Sequence, residues 1–430
     1  MVDGTDGCYM IKPVDEQNDI TTNGGGDPES VCILKHGFYP SGLNRQAEAL
    51  VEDGFRVHVI CLRGEGEPKL ETAEGVEIHR LQVGRREPLR RRGSIGRYLL
   101  DYNAFFLLAS FKLMSLDIKH GFRAVQVNTL PDYLVFAALV PKLAGAKVVL
   151  HMQEPMPELF NTLFDGWYRR LFVGAIEMME KFSLKFADRV VTVTREMRDN
   201  LGRRGADVNK ITVIVNVPDE RIFRVDRYEN LAEKIANIKR EERRASKFRV
   251  VYHGAIEKRD GIDVMIRAAA ALKSEIPGIE FIFMGDGDYL PGAKALASDL
   301  KTEGNATFLG DVSFDVMIEE ILTADVAVVP AKKSPFTVLV HPKSLYHYLA
   351  MQKPVVASRL DSMEAYFPED AIVYFEPGDD VDLAEKLRYV FAHPEEMTAR
   401  VEHCSQVYET YRWAREKRKY LGVYHSLLSP

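Results

Sequence analysis

"FRVVYHGAIEKRDGIDVMIRA", residues 248–268, carries the fold in one line. A β-branched run ends at Gly254, a charged loop holds Lys258 and Arg259, and Gly261 permits a tight entry into an apolar-periodic helix. Strand, glycine turn and helix in that order are the repeating unit of a parallel sheet covered by helices. The unit recurs downstream, with strands expected at 279–285, 306–310, 326–330, 354–358 and 371–375. Upstream lies a first set, at 31–36, 56–62, 76–83, 124–128, 146–152, 189–194 and 211–216. The sequence therefore predicts an α/β protein with two Rossmann-like, doubly wound domains facing a cleft. The first spans 31–216 and the second 248–405, joined by a crossover and charged linker at 217–247. A C-terminal helix within 406–430, carried by the aromatic spacing at 408–428, is expected to pack back across both. Residues 1–30, polar and Gly-rich, read as a disordered leader. Open parallel sheets bind ligands beyond the carboxyl ends of their strands, so the cleft is the expected site.

Composition narrows the function. A chain of 430 residues, 46% hydrophobic, can bury the cores of two domains. Its net charge of −6 argues against general nucleic-acid binding and requires any anion site to be local. Cys8, Cys32, Cys61 and Cys404 are scattered without metal-ligand or disulfide spacing, which fits a reducing cytoplasm. The apolar run at 133–150 is broken by Pro141, Lys142 and Lys147, too soon for a membrane span, and no signal peptide is recognisable.

Common NTPase, metalloprotease, serine-hydrolase and dinucleotide motifs are absent. "GDGD", with Gly285 and Asp286 at its start, contains a D-x-D, which a metal reading could use; a Gly-rich strand-to-helix turn explains the spacing better. Lys258 and Arg259 beside backbone amides at a helix start suit a diphosphate, and equally fit a solvated charged loop. A second signal is the run 326–360, which has no Asp or Glu but holds Lys332, Lys333, Lys343, Lys353 and Arg359. That excess suggests an anionic ligand.

Taken together, these segments resemble the group 1 family of retaining glycosyltransferases, of GT-B architecture, over most of the chain. The resemblance is carried by "FYPSGLNRQAEALVEDGFRVHVICLRG", "HMQEPMPEL", "VVTVTREMRDNL", "VIVNVPD", "YHGAIEKRDGIDVMIRA", "FMGDGDYLPGAKAL" and "SPFTVLVHPKSLYHYLAMQKPVVAS" in their order and spacing. It implies transfer of a sugar from a nucleotide-diphosphate sugar, UDP- or GDP-linked, held mainly by the second domain, to an acceptor held mainly by the first. It also implies no metal cofactor, because protein cations stabilise the leaving diphosphate. Arg259 matches the family's diphosphate-binding cation, Lys258 is adjacent, and Gly254, Gly285 and Asp286 line the donor side. On the acceptor side the resemblance places Ser41, Gly42, His151 and Glu154.

Departures from the family pattern fall at informative positions. Both carboxylates of the family's E-x7-E are missing: Leu339 and His347 stand there, with Val338 and Ser344 at two further donor positions and Lys343 as a displaced cation. Gln153 replaces the family's donor-contacting His, keeping hydrogen-bonding ability but not charge. On a helix expected over 343–352, Leu345, Tyr348, Leu349 and Gln352 form the core face, leaving His347 as a donor-site residue, neutral or protonated by a nearby phosphate. Three classes follow: an active transferase with an altered donor site, a catalytically impaired nucleotide-sugar-binding relative or partner subunit, and another nucleotide-sugar reaction such as epimerisation. The acceptor, a glycan, lipid or small molecule, is less legible. "GRREPLRRRGSIGR" puts Arg85, Arg86, Arg90, Arg91, Arg92 and Arg97 before an aromatic-rich helix. This reads either as a basic loop followed by a core helix or as a peripheral membrane contact at the inner face.

Overall fold

The computed structural model describes residues 28–38, 45–83, 95–163, 169–223, 225–228 and 247–429. Residues 1–27 of the expected leader, most of the charged linker, Ser41, Gly42 and the arginines at 85–92 lie outside them, as does the side chain of Arg97; the end of that leader is ordered, with Ser30 paired to Arg56 and Phe122 in the first sheet.

Two parallel sheets form the framework. The first comprises β1 (Ser30–Phe38), β2 (Arg56–Leu62), β3 (Leu70–Ala73), β4 (Val76–Leu81), β5 (Phe122–Asn128), β6 (Lys147–Met152), β7 (Arg189–Thr192) and β8 (Ile211–Val213). Its order is β3-β4-β2-β1-β5-β6-β7-β8. The second comprises β9 (Phe248–His253), β10 (Ile279–Met284), β11 (Ala306–Gly310), β12 (Val326–Val329), β13 (Val355–Ser358) and β14 (Val373–Phe375), in the order β11-β10-β9-β12-β13-β14. Every pairing is parallel except β3 with β4. Each expected strand is present. The strand missed by sequence reading is β3, an antiparallel edge piece of alternating exposed and half-buried residues, too polar to stand out. Strand order reverses between β1 and β5 and between β9 and β12, so each domain opens a crevice at the carboxyl ends of those strands.

Long apolar runs in the central strands follow from burial on both faces. Helix Ile262–Leu272 buries Ile262, Val264, Met265, Ile266, Ala268, Ala269 and Leu272 against β9 and β10. Its entry depends on Gly261, at φ 73°, where an added Cβ would stand 1.9 Å from the carbonyl oxygen of Pro330.

The C-terminal stretch is not one helix. Pro394–Glu409 and Trp413–Leu428 are separate, broken by a turn at 410–412. The last helix lies on the first domain. Tyr420 and Tyr424 both donate to Oε1 of Gln126 at 2.8 Å, and the buried Glu416 accepts from the backbone N–H of Val215 at 2.8 Å. Further ties join the domains: the hydroxyl of Thr194 donates to the carbonyl of Leu339, and the Tyr366 hydroxyl accepts from Arg195 N–H at 2.8 Å.

Candidate functional site

The second domain's half of the cleft is built from strand ends. β9 stops at His253, and Gly254 (φ 145°) turns the chain; β10 stops at Met284, and Gly285 (φ 129°) does the same. The two turns touch. Gly254 N–H donates to Met284, Gly285 N–H to Gly310, and a Cβ on Gly285 would lie 1.9 Å from the Gly254 carbonyl oxygen. Asp286 accepts from Gly287 N–H at 2.8 Å, and Glu257 accepts from Asp288 N–H at 3.3 Å. The "GDGD" carboxylate at Asp286 thus folds back on its own turn, the structural reading of that motif.

Lys258 and Arg259 occupy a single 3-10 turn, Lys258–Asp260, closed by reciprocal Glu257 and Asp260 capping bonds. Arg259 lies over the ring of Phe336 at 5.3 Å, and its carbonyl accepts from Lys332 N–H. Neither side chain forms an ion pair among the described residues. Burial lifts the Asp260 carboxyl, directly after Arg259, to about 6, against the lowering effect of Arg259 itself.

The acid-free run reads differently in space. Lys332 pairs with Asp263 at 2.6 Å, Lys333 with Asp361 at 3.6 Å, and Arg359 with Glu364, Glu369 and Glu376. Lys353 donates to the carbonyls of Leu322 and Ala324. The expected local excess of positive charge is therefore largely matched in the fold, by Asp263, by acids at 361–376 just past the run, and by backbone carbonyls at Lys353. Lys343 is the exception. It stands at the start of helix Lys343–Ala350 with its side chain reached by solvent, yet its pKa is lowered, by desolvation first and also by Arg45, against the opposing charge of Glu154.

Val338 and Leu339 belong to the junction. Leu339 is buried with Phe336 and Val340 in the hydrophobic cluster of the first domain, and Val338 packs on clusters of both domains. Ser344 is buried one residue past Lys343. The expected core face of helix Lys343–Ala350 holds at Leu345, Tyr348 and Leu349 but not at Gln352, which is exposed beyond the helix end at φ 53°.

His347 sits in a slot of rings. It stacks on Phe223 (centroids 4.1 Å apart, 13° between planes) and on His253 (5.0 Å, 10°), with Nδ1 3.2 Å from His253 Nε2. Burial first, then His253, Lys343 and Arg45, hold its pKa well below 6.5, so in the ligand-free chain the imidazole is neutral. The protonated alternative is not the resting form. Sequence reading missed His253 and Phe223; the position of His253 directly before the strand-ending Gly254 was the available signal.

Across the cleft, Gln153 and Glu154 follow the end of β6, half-buried and exposed. His151 is buried at that strand end, its Nδ1 without a hydrogen-bond partner and its pKa lowered to about 3 by burial and by Arg45, Lys35 and Lys343. Lys35, near the end of β1, has its pKa lowered by burial and by Lys343. Arg45, which donates to Asn216 at 2.8 Å and lies over Trp413 at 4.7 Å, is lowered to about 10. Lys35, Arg45 and Lys343 each bear on His151, a grouping that sequence reading had not assembled. Glu158, quoted within the same motif, is turned away and holds Asn200 and Arg204.

Two Rossmann-like domains meeting at such a cleft define the GT-B class of glycosyltransferases. Residues 41–216 match the family described as glycosyl transferase 4-like domain, and residues 247–393 match glycosyl transferases group 1. The chain belongs to the group 1 glycosyltransferase family. An uncharacterised glycosyltransferase of Methanocaldococcus jannaschii is 22% identical over 392 residues, 88% of this chain and 91% of that protein. Among solved structures, sucrose-phosphate synthase of Thermosynechococcus elongatus superposes with TM-score 0.74 at 16% identity, covering 93% of this chain and 99% of that one. HepE of Anabaena, in complex with UDP, gives 0.67 at 15%, covering 92% and 100%.

Proposed function

We propose that this protein moves a sugar from a nucleotide-diphosphate sugar, with retention of anomeric configuration and without a metal cofactor. The carrying observation is that Arg259 and Lys258 stand just past the carboxyl end of β9 with no ion pair among the described residues, whereas the cations of the acid-free run at 326–360, Lys343 excepted, are matched by acids or by backbone carbonyls. Unpaired cations fixed at strand ends are preorganised for charge that develops on a leaving diphosphate. Same-face proton uptake by that phosphate requires no carboxylate pair, which accords with Leu339 and His347 standing where the family has acids. Similar folds are known with UDP, with UDP-glucose and with ADP. Incubation with UDP-, GDP- and ADP-sugars tests this directly: release of nucleotide diphosphate supports transfer, binding without release makes the chain a non-catalytic binder, and an altered sugar without release makes it an epimerase.

The acceptor side is proposed to face a membrane carrying a lipid-linked acceptor. No described helix is long and apolar enough to cross one. Yet helix Ile95–His120 exposes Leu100 (72%), Phe111 (65%) and Ile118 (81%), and helix Arg169–Phe186 exposes Leu171 (73%), Phe172, Met178 and Phe182. Phe136, packed on Phe186, and the exposed Leu143 lie on the segment between them. Lys119, Arg170, Lys181 and Lys185 are exposed on the same helices and complement an anionic bilayer. The expected core helix therefore keeps an outward apolar face. Sedimentation with phosphatidylglycerol vesicles should carry the protein down at low salt, and Phe111→Ser with Phe182→Ser should release it; equal sedimentation of both forms would remove this surface from consideration.

A further inference from the structure

At the end of the first domain opposite the cleft, His58, Glu77 and His79 turn their ligand atoms toward one point. His58 on β2 pairs in register with Glu77 on β4, and His79, two residues on, shares its face. His58 Nδ1 is 3.3 Å from His79 Nε2 and 3.6 Å from Glu77 Oε2, and the three ligand atoms lie within 4.8 Å of one another. Tetrahedral zinc with bonds of about 2.0–2.1 Å separates neighbouring ligand atoms by about 3.3–3.4 Å, close to the spacing already present. As a hydrogen bond, by contrast, 3.3 Å is long for N–H to N.

We propose that His58, His79 and Glu77 form a site for a borderline divalent cation such as zinc or cobalt, tying β2 to β4 at the base of the first domain. Two imidazole nitrogens and one carboxylate oxygen are the donor set such ions take, with a further position open to water. His58 is fully buried and His79 is 6% exposed, so their rings are fixed by the core. The Glu77 side chain is 37% exposed and provides the route for an ion. His58 Nε2 has no hydrogen-bond partner, so this ring's only polar contacts are on the side facing the cluster. Phe122 and His120 cover the ring, with centroids 5.4 and 4.3 Å away. Arg56, Lys112 and Lys119 add positive charge nearby, which weakens cation binding and leaves Glu77 as the compensating acid. The metal-free reading of the composition rests on spacing along the chain; this set is split between two strands and is assembled only by their register.

The test uses the full chain without an affinity tag. Cobalt titration should give the visible absorption of tetrahedral nitrogen and oxygen coordination, saturating at a single ion per chain, and zinc should displace it and raise the melting temperature. Glu77→Gln, a half-exposed change that should not disturb folding, should weaken cobalt binding at least tenfold, and His58→Gln should abolish the spectrum. Absence of binding to the wild type, or equal cobalt affinity in wild type and Glu77→Gln, would overturn the site.

Discussion

The rings of His347 and His253 lie within 10° of parallel, and Nδ1 of the first is 3.2 Å from Nε2 of the second. Both are held neutral, His253 near 4 by burial and His347 well below 6.5, so one ring donates to the other. This contact ties the end of β9 to the helix that opens with Lys343. It closes that part of the cleft with an uncharged pair, and under the proposed donor role charge recognition would fall to Arg259, Lys258 and Lys343.

Arg259→Ala should lower turnover about a hundredfold or more, the scale of losing one donor to a developing anion. Steady-state rates with the accepted donor check this. Because Arg259 rests on Phe336 and has no ion pair among the described residues, the melting temperature should move little. Unchanged turnover would take Arg259 out of the diphosphate role.

Gln126→Ala should destabilise the fold by about 3 kcal/mol, because it leaves two buried phenols, Tyr420 and Tyr424, without their shared acceptor. Tyr424→Phe alone, with Tyr420 still bonded, should cost about 1 kcal/mol. Urea midpoints compare the two. Equal, small losses would show that packing of helix Trp413–Leu428, and not these hydrogen bonds, holds it to β5.

Stability should fall on acidification from about 6.5 to about 4, since burial depresses His36, His58, His79, His253 and His341 to about 4 from an ordinary 6.5. In that window the unfolded chain takes up protons that the folded chain refuses, so stability rises with pH. Asp132 has the opposite sign. Buried, with neither carboxylate oxygen hydrogen-bonded, it is raised to about 7, so its contribution is present below its ordinary 3.8 and is lost as pH climbs through about 7. The windows overlap, and five imidazoles outweigh one carboxyl, so melting temperature should rise from about pH 4 to about 6.5 and then fall as pH climbs to about 7, a fall to which Asp132 contributes; a monotonic rise to pH 9 would contradict the assignment of Asp132.

The fold was legible because β-branched runs ending in glycine recur, and strands such as β9 are buried on both faces and must be apolar. The antiparallel β3 was not, because its exposed, polar alternation resembles a loop. Site residues on the chain's own turns, Arg259 after Gly254 or Asp286 after Gly285, could be placed from local order. Charge balance could not be read in full: Asp263, which neutralises Lys332, lies 69 residues away, and the acids that pair with Arg359 stand just past the end of the run, at 364–376. Nor could the Phe223–His347–His253 stack, which joins the crossover, a helix and a strand end.

The last prediction concerns what His347 contributes to donor binding. Removing the ring exposes Phe223, empties the stack and leaves the buried Nε2 of His253 without its partner, so His347→Ala should weaken affinity for UDP or a UDP-sugar about tenfold, the loss of one hydrogen bond. Since Lys343 and Arg45 already help to keep the imidazole neutral, wild-type affinity should stay flat from about pH 6.5 to 8. The same positive field would stabilise a carboxylate, so His347→Glu should fold and bind the donor at least as well as the wild type. Calorimetric titration of the three proteins across that range decides the matter. A wild-type affinity that drops tenfold as pH rises would mean that an imidazolium grips the diphosphate. Identical affinity in His347→Ala would make the ring a packing element between Phe223 and His253 and return nucleotide recognition to the glycine turns at Gly254 and Gly285.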